Sequence, residues 1–138
     1  MTTDITDGGF IAEEDNEFFD GQSAKLFRKE DPDQGILLRF EAEPRHINRG
    51  GVVHGGMLMT FADQVLGFAA SDAADGKTCS TMSLNCDFVA AARIGDVIEG
   101  RAWVTRRTRS VIFVQGEVSS GGQILMTATG VWKIIGAK

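Results

Sequence analysis

Apolar residues recur every three or four positions over residues 57–72, and this spacing predicts a long amphipathic helix. The apolar stripe consists of Met57, Leu58, Phe61, Ala62, Val65, Leu66, Phe68 and Ala69. One carboxylate, Asp63, interrupts it, seven residues or nearly two turns after Gly56. The two therefore share a helix face, which also carries Thr60 and Gly67. A helix that only filled a core would not need this carboxylate, so Asp63 is a candidate functional residue.

Much of the remaining chain alternates between apolar and polar residues, as half-buried strands do. The predicted strands are 36–42, 78–89, 96–107, 110–119 and 123–134. In the strand 78–89, the alternation places Met82, Leu84, Cys86 and Phe88 on one face and Thr81, Ser83, Asn85 and Asp87 on the other. We predict turns at 31–35, 108–109 and 120–122. A weaker apolar pattern predicts a helix over 14–29.

A run of four strands joined mostly by short turns favours an antiparallel sheet with one face to cover. The helix 57–72 is the element long and apolar enough to cover it. We therefore predict an α+β fold in which the sheet wraps around this helix. At 138 residues, the chain 1–138 is expected to form a single domain. Within it, residues 1–13 are expected to be a loose N-terminal segment.

Composition and charge exclude several classes of protein. The net charge of −5 argues against nucleic acid as a general partner. The polar, acidic start does not resemble a signal peptide, and no segment has the length of a membrane span, so we expect a cytoplasmic protein without a membrane partner. Cys79 and Cys86 are seven residues apart in one predicted strand, so we expect them on opposite faces and unpaired. No Cys/His spacing indicates a metal site.

The segment before the helix is a polar, glycine-rich loop, Asn48-Arg49-Gly50-Gly51-Val52-Val53-His54-Gly55-Gly56. Its His-Gly-Gly end lies nine residues before Asp63, a strand precedes it, and four strands follow the helix. This combination resembles the hotdog fold, and more narrowly the phenylacetyl-CoA thioesterase-like branch of the 4-hydroxybenzoyl-CoA thioesterase superfamily. The resemblance extends from Ile36 to Ile135.

The resemblance implies an acyl-CoA thioesterase that hydrolyses an aryl- or fatty acyl-CoA. The side chain of Asn48 and a backbone N–H of Gly55 or Gly56 would polarise the thioester carbonyl. Asp63 would act as general base or nucleophile, and by position Thr81 would help to hold the attacking water. We count His54 as a site residue but not as a base. No metal or redox cofactor is implied, because coenzyme A enters as part of the substrate.

Elementary chemistry supports the same roles. Thioester hydrolysis builds negative charge on the carbonyl oxygen, and the first turn of a helix offers unpaired N–H groups and the positive end of its dipole. Gly55 and Gly56 carry no side chains, so an acyl group can approach that backbone closely. Asp63 would activate water or attack the carbonyl directly, and the sequence leaves both routes open.

The distance along the helix predicts an oligomer. Gly56 and Asp63 are separated by roughly 10 Å at 1.5 Å per residue, so one carbonyl carbon cannot meet both groups of the same helix. We therefore predict a homodimer with two shared sites, as the resemblance also implies, and a dimer of dimers beyond it.

Other residues are candidates for binding the substrate. Arg106, Arg107 and Arg109 cluster around a hairpin turn and are candidates for the phosphates of coenzyme A. Phe61 is a core residue first, and a candidate wall of the acyl-binding tunnel.

Alternatives remain open at this stage. A hydratase or dehydratase of acyl thioesters would use His54 and Asp63 for proton transfer at carbon, and a non-catalytic module would only bind acyl-CoA. In a purely structural interpretation, Asn48 caps a turn, Asp63 is bonded to Thr60 or to a neighbouring strand, and Thr81 is an ordinary strand threonine. The arginines also suit a solvated face.

Overall fold

One long α-helix and a seven-stranded antiparallel sheet dominate the computed structural model, which describes residues 4–13 and 23–136. The helix α1 spans Gly55–Ala73, and a short 3₁₀ helix, Pro44–His46, lies before it. The strands are β1 (Ile11–Ala12), β2 (Phe27–Asp31), β3 (Gly35–Glu41), β4 (Cys79–Phe88), β5 (Val97–Arg107), β6 (Val111–Ser120) and β7 (Gln123–Ile134). Their order across the sheet is β1-β2-β3-β5-β6-β7-β4.

The sheet wraps around α1, which confirms the predicted α+β fold. The apolar stripe of α1 is buried against the sheet, with Phe61, Ala62 and Leu66 completely inaccessible to solvent. Glycines at the centres of two strands let the helix lie close. A Cβ on Gly100 would come within 2.5 Å of Val65 Cγ2, and one on Gly116 within 2.6 Å of a Leu66 methyl carbon. Helix and sheet therefore approach to a distance that larger side chains would prevent.

The alternation in β4 is broken by a bulge between Thr81 and Ser83. Met82 is the additional residue and is 61% exposed, so Thr81 lies on the helix side together with Leu84. The predicted placement of Thr81 on the opposite face from Leu84 is therefore wrong. The same bulge brings Cys79 and Cys86 to one face, where both pack against the core as free thiols. Their predicted placement on opposite faces is wrong for the same reason.

The predicted helix 14–29 is wrong in the part that the structure describes, because residues 27–29 belong to β2. Residues 14–22 of this prediction lie outside the described residues. β2 and β3 form a hairpin whose turn matches the prediction at 31–35. The carboxylate of Asp31 accepts the N–H groups of Asp33 and Gln34 at 2.8 and 2.9 Å, and Gly35 adopts a positive φ of 76°. Pairing with β3 outweighs the weak helical pattern.

Residues 4–13 make specific contacts, although we expected a loose segment. Phe10 is 4% exposed, and the guanidinium of Arg39 stacks 3.8 Å from its ring centroid. Arg39 Nη1 also donates to the carbonyl oxygen of Asp7 at 2.7 Å. β1 adds two residues of pairing with β2. These contacts hold residues 4–13 against the edge of the sheet.

A buried histidine that the sequence analysis did not single out supports the loop before α1. His46 is 4% exposed, its Nδ1 accepts the N–H of Glu43 at 2.9 Å, and its Nε2 lies 2.7 Å from the carbonyl oxygen of Ser23. Because Nδ1 accepts, Nε2 carries the proton and donates to Ser23. The carbonyl of His46 in turn accepts the N–H of His54 at 2.8 Å.

Replacing His46 by alanine is expected to lower the free energy of unfolding by about 2–4 kcal/mol, because it leaves the N–H of Glu43 and the carbonyl of Ser23 without partners. Urea unfolding followed by circular dichroism measures this change. The exposed His54, replaced by alanine, is the matched control and should lose only about 1 kcal/mol. Equal losses at the two positions would contradict the supporting role of His46.

Candidate active site

The start of α1 is capped by His54. Its Nδ1 accepts the backbone N–H of Gly56 at 2.9 Å, while its carbonyl oxygen accepts from Met57 at 2.9 Å. His54 therefore closes the first turn of the helix and holds the loop in place. Since Nδ1 is occupied by this bond, the geometry gives His54 a capping role.

The two glycine N–H groups at the helix start differ in availability. Gly56 donates to His54, whereas the N–H of Gly55 makes no hydrogen bond with any residue in the ranges 4–13 and 23–136. Of the two N–H groups that we expected to polarise a carbonyl, that of Gly55 therefore remains available to a ligand. The ring of Phe88 lies over Gly55, where a Cβ would meet it at 3.3 Å. Phe88, whose role the strand pattern did not indicate, forms an apolar wall beside this donor.

Asn48 holds the loop through its side-chain oxygen. Oδ1 accepts the N–H of Gly50 at 2.9 Å and, more weakly, that of Val52 at 3.4 Å. Asn48 therefore caps this turn, which was one of the alternatives left open. The Nδ2 group of Asn48 has no hydrogen-bond partner in the described part of the chain, so the bonds at Oδ1 orient an amide donor that remains available to a ligand.

The carboxylate and the threonine meet further along the helix. Thr81 Oγ1 donates to Asp63 Oδ1 at 2.6 Å, and Asp63 is half-buried. Burial raises the pKa of the nearby Cys86 thiol, and the carboxylates of Asp87 and Asp63 raise it further. Cys86 therefore remains a neutral thiol at pH 7. Thr81 holds one carboxylate oxygen of Asp63, and the other oxygen has no hydrogen-bond partner in the described part of the chain.

Asp63 and Thr81 line an open cleft of about 320 Å³, near the low end of the size of small-molecule sites. Its lining consists of Asp63, Gln64, Gly67, Phe68, Ser71, Thr78, Cys79, Thr81 and Trp132. Of the helical residues in this lining, Asp63 and Gly67 were indicated by their shared face. Trp132 and Cys79 were missed, because strand pairing across the sheet brings them here and no local pattern reports it.

Two groups of predicted site residues lie apart within one chain. α1 runs without interruption from Gly55 to Ala73, so the backbone positions of Gly55 and Asp63 are separated by roughly 12 Å along the axis. One chain therefore presents two incomplete halves, a pair of donors at the helix start and a carboxylate with its threonine further along.

The structure also places the predicted substrate-binding residues. Arg106, Arg107 and Arg109 are exposed at the end of β5 and in the following turn. Burial raises the pKa of the Cys79 thiol, and the charge of Arg107 opposes that shift. Strand pairing places Arg107 opposite Ile112, which in turn lies opposite the cleft residue Trp132. Phe61, in contrast, is fully buried, and its ring centroid lies 4.7 Å from that of Phe40. The structure assigns Phe61 to the core because the stripe of α1 faces the sheet.

A long helix wrapped by an antiparallel sheet, with a half-buried carboxylate on the helix, is the arrangement of the hotdog fold. The chain belongs to the thioesterase superfamily, whose sequence model matches residues 50–127, more than half of the chain. The protein is therefore a thioester hydrolase, as the sequence predicted. No helix among the described residues has the length and apolar character to cross a lipid bilayer.

Relatives and solved structures agree with this membership. A Ralstonia eutropha thioesterase-like protein, related to phenylacetic acid degradation, is 35% identical, with a TM-score of 0.67 over 72% of this chain and 75% of that one. "Putative esterase PA0474" of Pseudomonas aeruginosa is 29% identical over 79% of this chain and 82% of its own. A Streptococcus pneumoniae protein crystallised with coenzyme A shares the fold, with a TM-score of 0.72, 19% identity, and coverage of 82% of this chain and 90% of that one. The predicted phenylacetyl-CoA thioesterase-like branch is confirmed.

Proposed function

We propose that the protein hydrolyses an aryl- or fatty acyl-CoA to the free acid and coenzyme A. The observation that carries this proposal is the 2.6 Å hydrogen bond between Thr81 and Asp63, which holds a carboxylate at the edge of a cleft large enough for a small acyl group. The relation of the Ralstonia eutropha protein to phenylacetic acid degradation supports an aryl acyl group.

In the proposed mechanism, the thioester carbonyl oxygen accepts hydrogen bonds from the N–H of Gly55 and from Nδ2 of Asn48. The free carboxylate oxygen of Asp63 removes a proton from a water molecule, whose oxygen attacks the carbonyl carbon. The two donors stabilise the resulting oxyanion. The tetrahedral intermediate collapses as the carbon–sulfur bond breaks, and the proton on Asp63 passes to the departing thiolate. Direct attack by a carboxylate oxygen of Asp63 would instead displace the thiolate and form a mixed anhydride, which water then hydrolyses to release the acid and regenerate Asp63.

The separation of the two halves supports a shared site. We infer that Asn48 and Gly55 of one subunit meet Asp63 and Thr81 of the partner subunit, so that a homodimer carries two equivalent sites. β4 is an edge of the sheet and pairs with β7 on one side. At 10 residues it is long for an unpaired edge, which supports pairing with another chain. The dimer of dimers stays a prediction.

The arginines are proposed to bind the phosphates of coenzyme A. Among the three, Arg107 has the best support for this role, because it pairs with Ile112, which in turn pairs with Trp132 in the wall of the cleft. Arg106 and Arg109 are exposed close by in the chain, where their charge would add to the attraction for phosphate. A cytoplasmic location and the absence of a metal or redox cofactor also stay predictions.

Replacing Thr81 by valine is expected to lower kcat about ten- to a hundredfold, because valine keeps the shape but cannot donate to Asp63. Thr81→Ser retains the hydroxyl and should recover most of the rate. Thr127→Val, at another threonine of the sheet, serves as the matched control. A Thr81→Val protein with native kcat would contradict the proposed role of this bond.

The proposed function is tested by measuring the thiol released from aryl, short-chain and medium-chain acyl-CoA substrates. We expect steady release with at least one of them. Hydration of an enoyl-CoA without release of thiol would instead establish the hydratase alternative. Tight binding of acyl-CoA without any turnover would establish the binding module.

A further inference from the structure

Trp132 lies in β7 beside the Asp63–Thr81 pair and has no role in the mechanism above. It is 1% exposed, it is paired with Thr81 across β4 and β7, and it lines the same cleft. Residues directly opposite one another in an antiparallel pair have neighbouring side chains on one face. The indole is therefore next to the hydroxyl that holds the carboxylate.

Distances to two glycines show how the indole is oriented. A Cβ on Gly130 would lie 2.4 Å from Cζ3 and 2.7 Å from Cη2 of Trp132, so the benzene half of the ring covers Gly130. A Cβ on Gly67 would lie 3.6 Å from Nε1, so the nitrogen faces the helix. Gly67 is one turn after Asp63, on the helix face that lines the cleft.

The indole N–H has no acceptor in the described part of the chain. Two other polar groups of the cleft are already engaged, since Thr81 donates to Asp63 and Ser71 Oγ donates to the carbonyl of Lys77 at 2.9 Å. Leaving a buried donor unsatisfied costs about 1–3 kcal/mol, and buried tryptophan N–H groups usually have a partner. An acceptor supplied by the occupant of the cleft would remove that cost.

We propose that the Trp132 indole N–H is a specificity-determining hydrogen-bond donor, and that the cleft prefers acyl groups carrying an oxygen acceptor, such as a hydroxyl or keto group, over the matching hydrocarbon. This inference rests on the proposed function in that it takes the cleft to hold the acyl group. The absent side chain at Gly67 leaves the space in which such an oxygen approaches Nε1. Phe68 and Cys79 supply apolar lining for the rest of the acyl group.

The indole N–H is observed directly by ¹H–¹⁵N NMR, because the chain contains only two tryptophans. Trp103→Phe assigns the two signals, since Trp103 is 40% exposed on β5. The probes are thioether analogues of acyl-CoA, which cannot be hydrolysed: phenylacetyl with hydroxyphenylacetyl, and butyryl with 3-hydroxybutyryl and 3-ketobutyryl. We expect at least one oxygen-bearing analogue to move the Trp132 signal downfield, and its hydrocarbon match not to do so. A Trp132 signal that no analogue moves in this way overturns the inference.

A second measurement links the donor to selectivity. Replacing Trp132 by 3-benzothienylalanine exchanges the N–H for sulfur at nearly constant shape. We expect native protein to favour the oxygen-bearing substrate about tenfold in kcat/KM, and the isostere to reduce this ratio to about one. A preference that survives in the isostere overturns the inference. The analogues report binding without turnover, so a failure of thiol release would contradict the proposed function and leave the NMR result to decide the role of Trp132.

Discussion

Asp63→Asn is expected to reduce the rate of thiol release by about 10²–10⁴-fold, the usual contribution of a general base. The amide oxygen of asparagine can still accept the hydroxyl of Thr81, so the geometry of the cleft is retained while the ability to take a proton from water is lost. If Asp63 is the nucleophile, the same substitution removes the attacking atom, and the loss is at least as large.

The matched control for this substitution is Asp72→Asn, on an exposed position near the end of the same helix. It removes the same charge and should leave kcat unchanged. Both variants are compared with native protein for thiol release on one substrate, and their unfolding curves are recorded in parallel. An Asp63→Asn protein that is folded and within about threefold of the native rate would exclude the base and nucleophile roles alike.

Phe61→Ala is expected to lower the free energy of unfolding by about 3–5 kcal/mol, because it removes a fully buried ring and leaves a cavity between α1 and the sheet. The lost contacts include the edge-on packing against Phe40. Phe113→Ala makes the same change at a position 37% exposed on β6 and should cost less than about 1 kcal/mol. Denaturant unfolding measures both.

Two variants at Phe61, to alanine and to leucine, separate a core residue from a tunnel wall. If Phe61 belongs to the core, Phe61→Leu should restore much of the lost stability and leave the order of preferred acyl-CoA substrates unchanged. A Phe61→Ala protein of nearly native stability with a changed substrate order would show instead that the ring contacts the acyl group.

The fold was predictable to the extent that local periodicity determines it. The apolar stripe of 57–72 determines α1 because a helix in a core must bury one face, and the alternation in β3, β5, β6 and β7 determines a half-buried sheet. The strand β2 was not predictable in this way. Its pairing with β3 depends on a hairpin, whereas its sequence carries a weak helical pattern.

The site was predictable in part, for a physical reason that β4 illustrates. A shared helix face and the His-Gly-Gly loop indicated Asp63, but the bulge at Met82 reverses the alternation, and so the facing of Thr81 was predicted wrongly. Trp132 reaches the cleft through pairing with Thr81, 51 residues away in the chain. The use of the Gly56 N–H by His54 depends on a side-chain rotamer that no sequence pattern reports.

The shared site is tested most directly by mixing two inactive subunits. Asp63→Asn removes the proton acceptor, and Asn48→Asp keeps the oxygen that holds the loop but removes the amide donor. In a mixed dimer, one of the two sites receives an intact donor pair from one subunit and an intact carboxylate from the other. Random co-assembly makes half of the dimers mixed, so thiol release should recover to about a quarter of the native rate. A mixture no more active than the average of its two parent proteins would contradict a site built from two subunits.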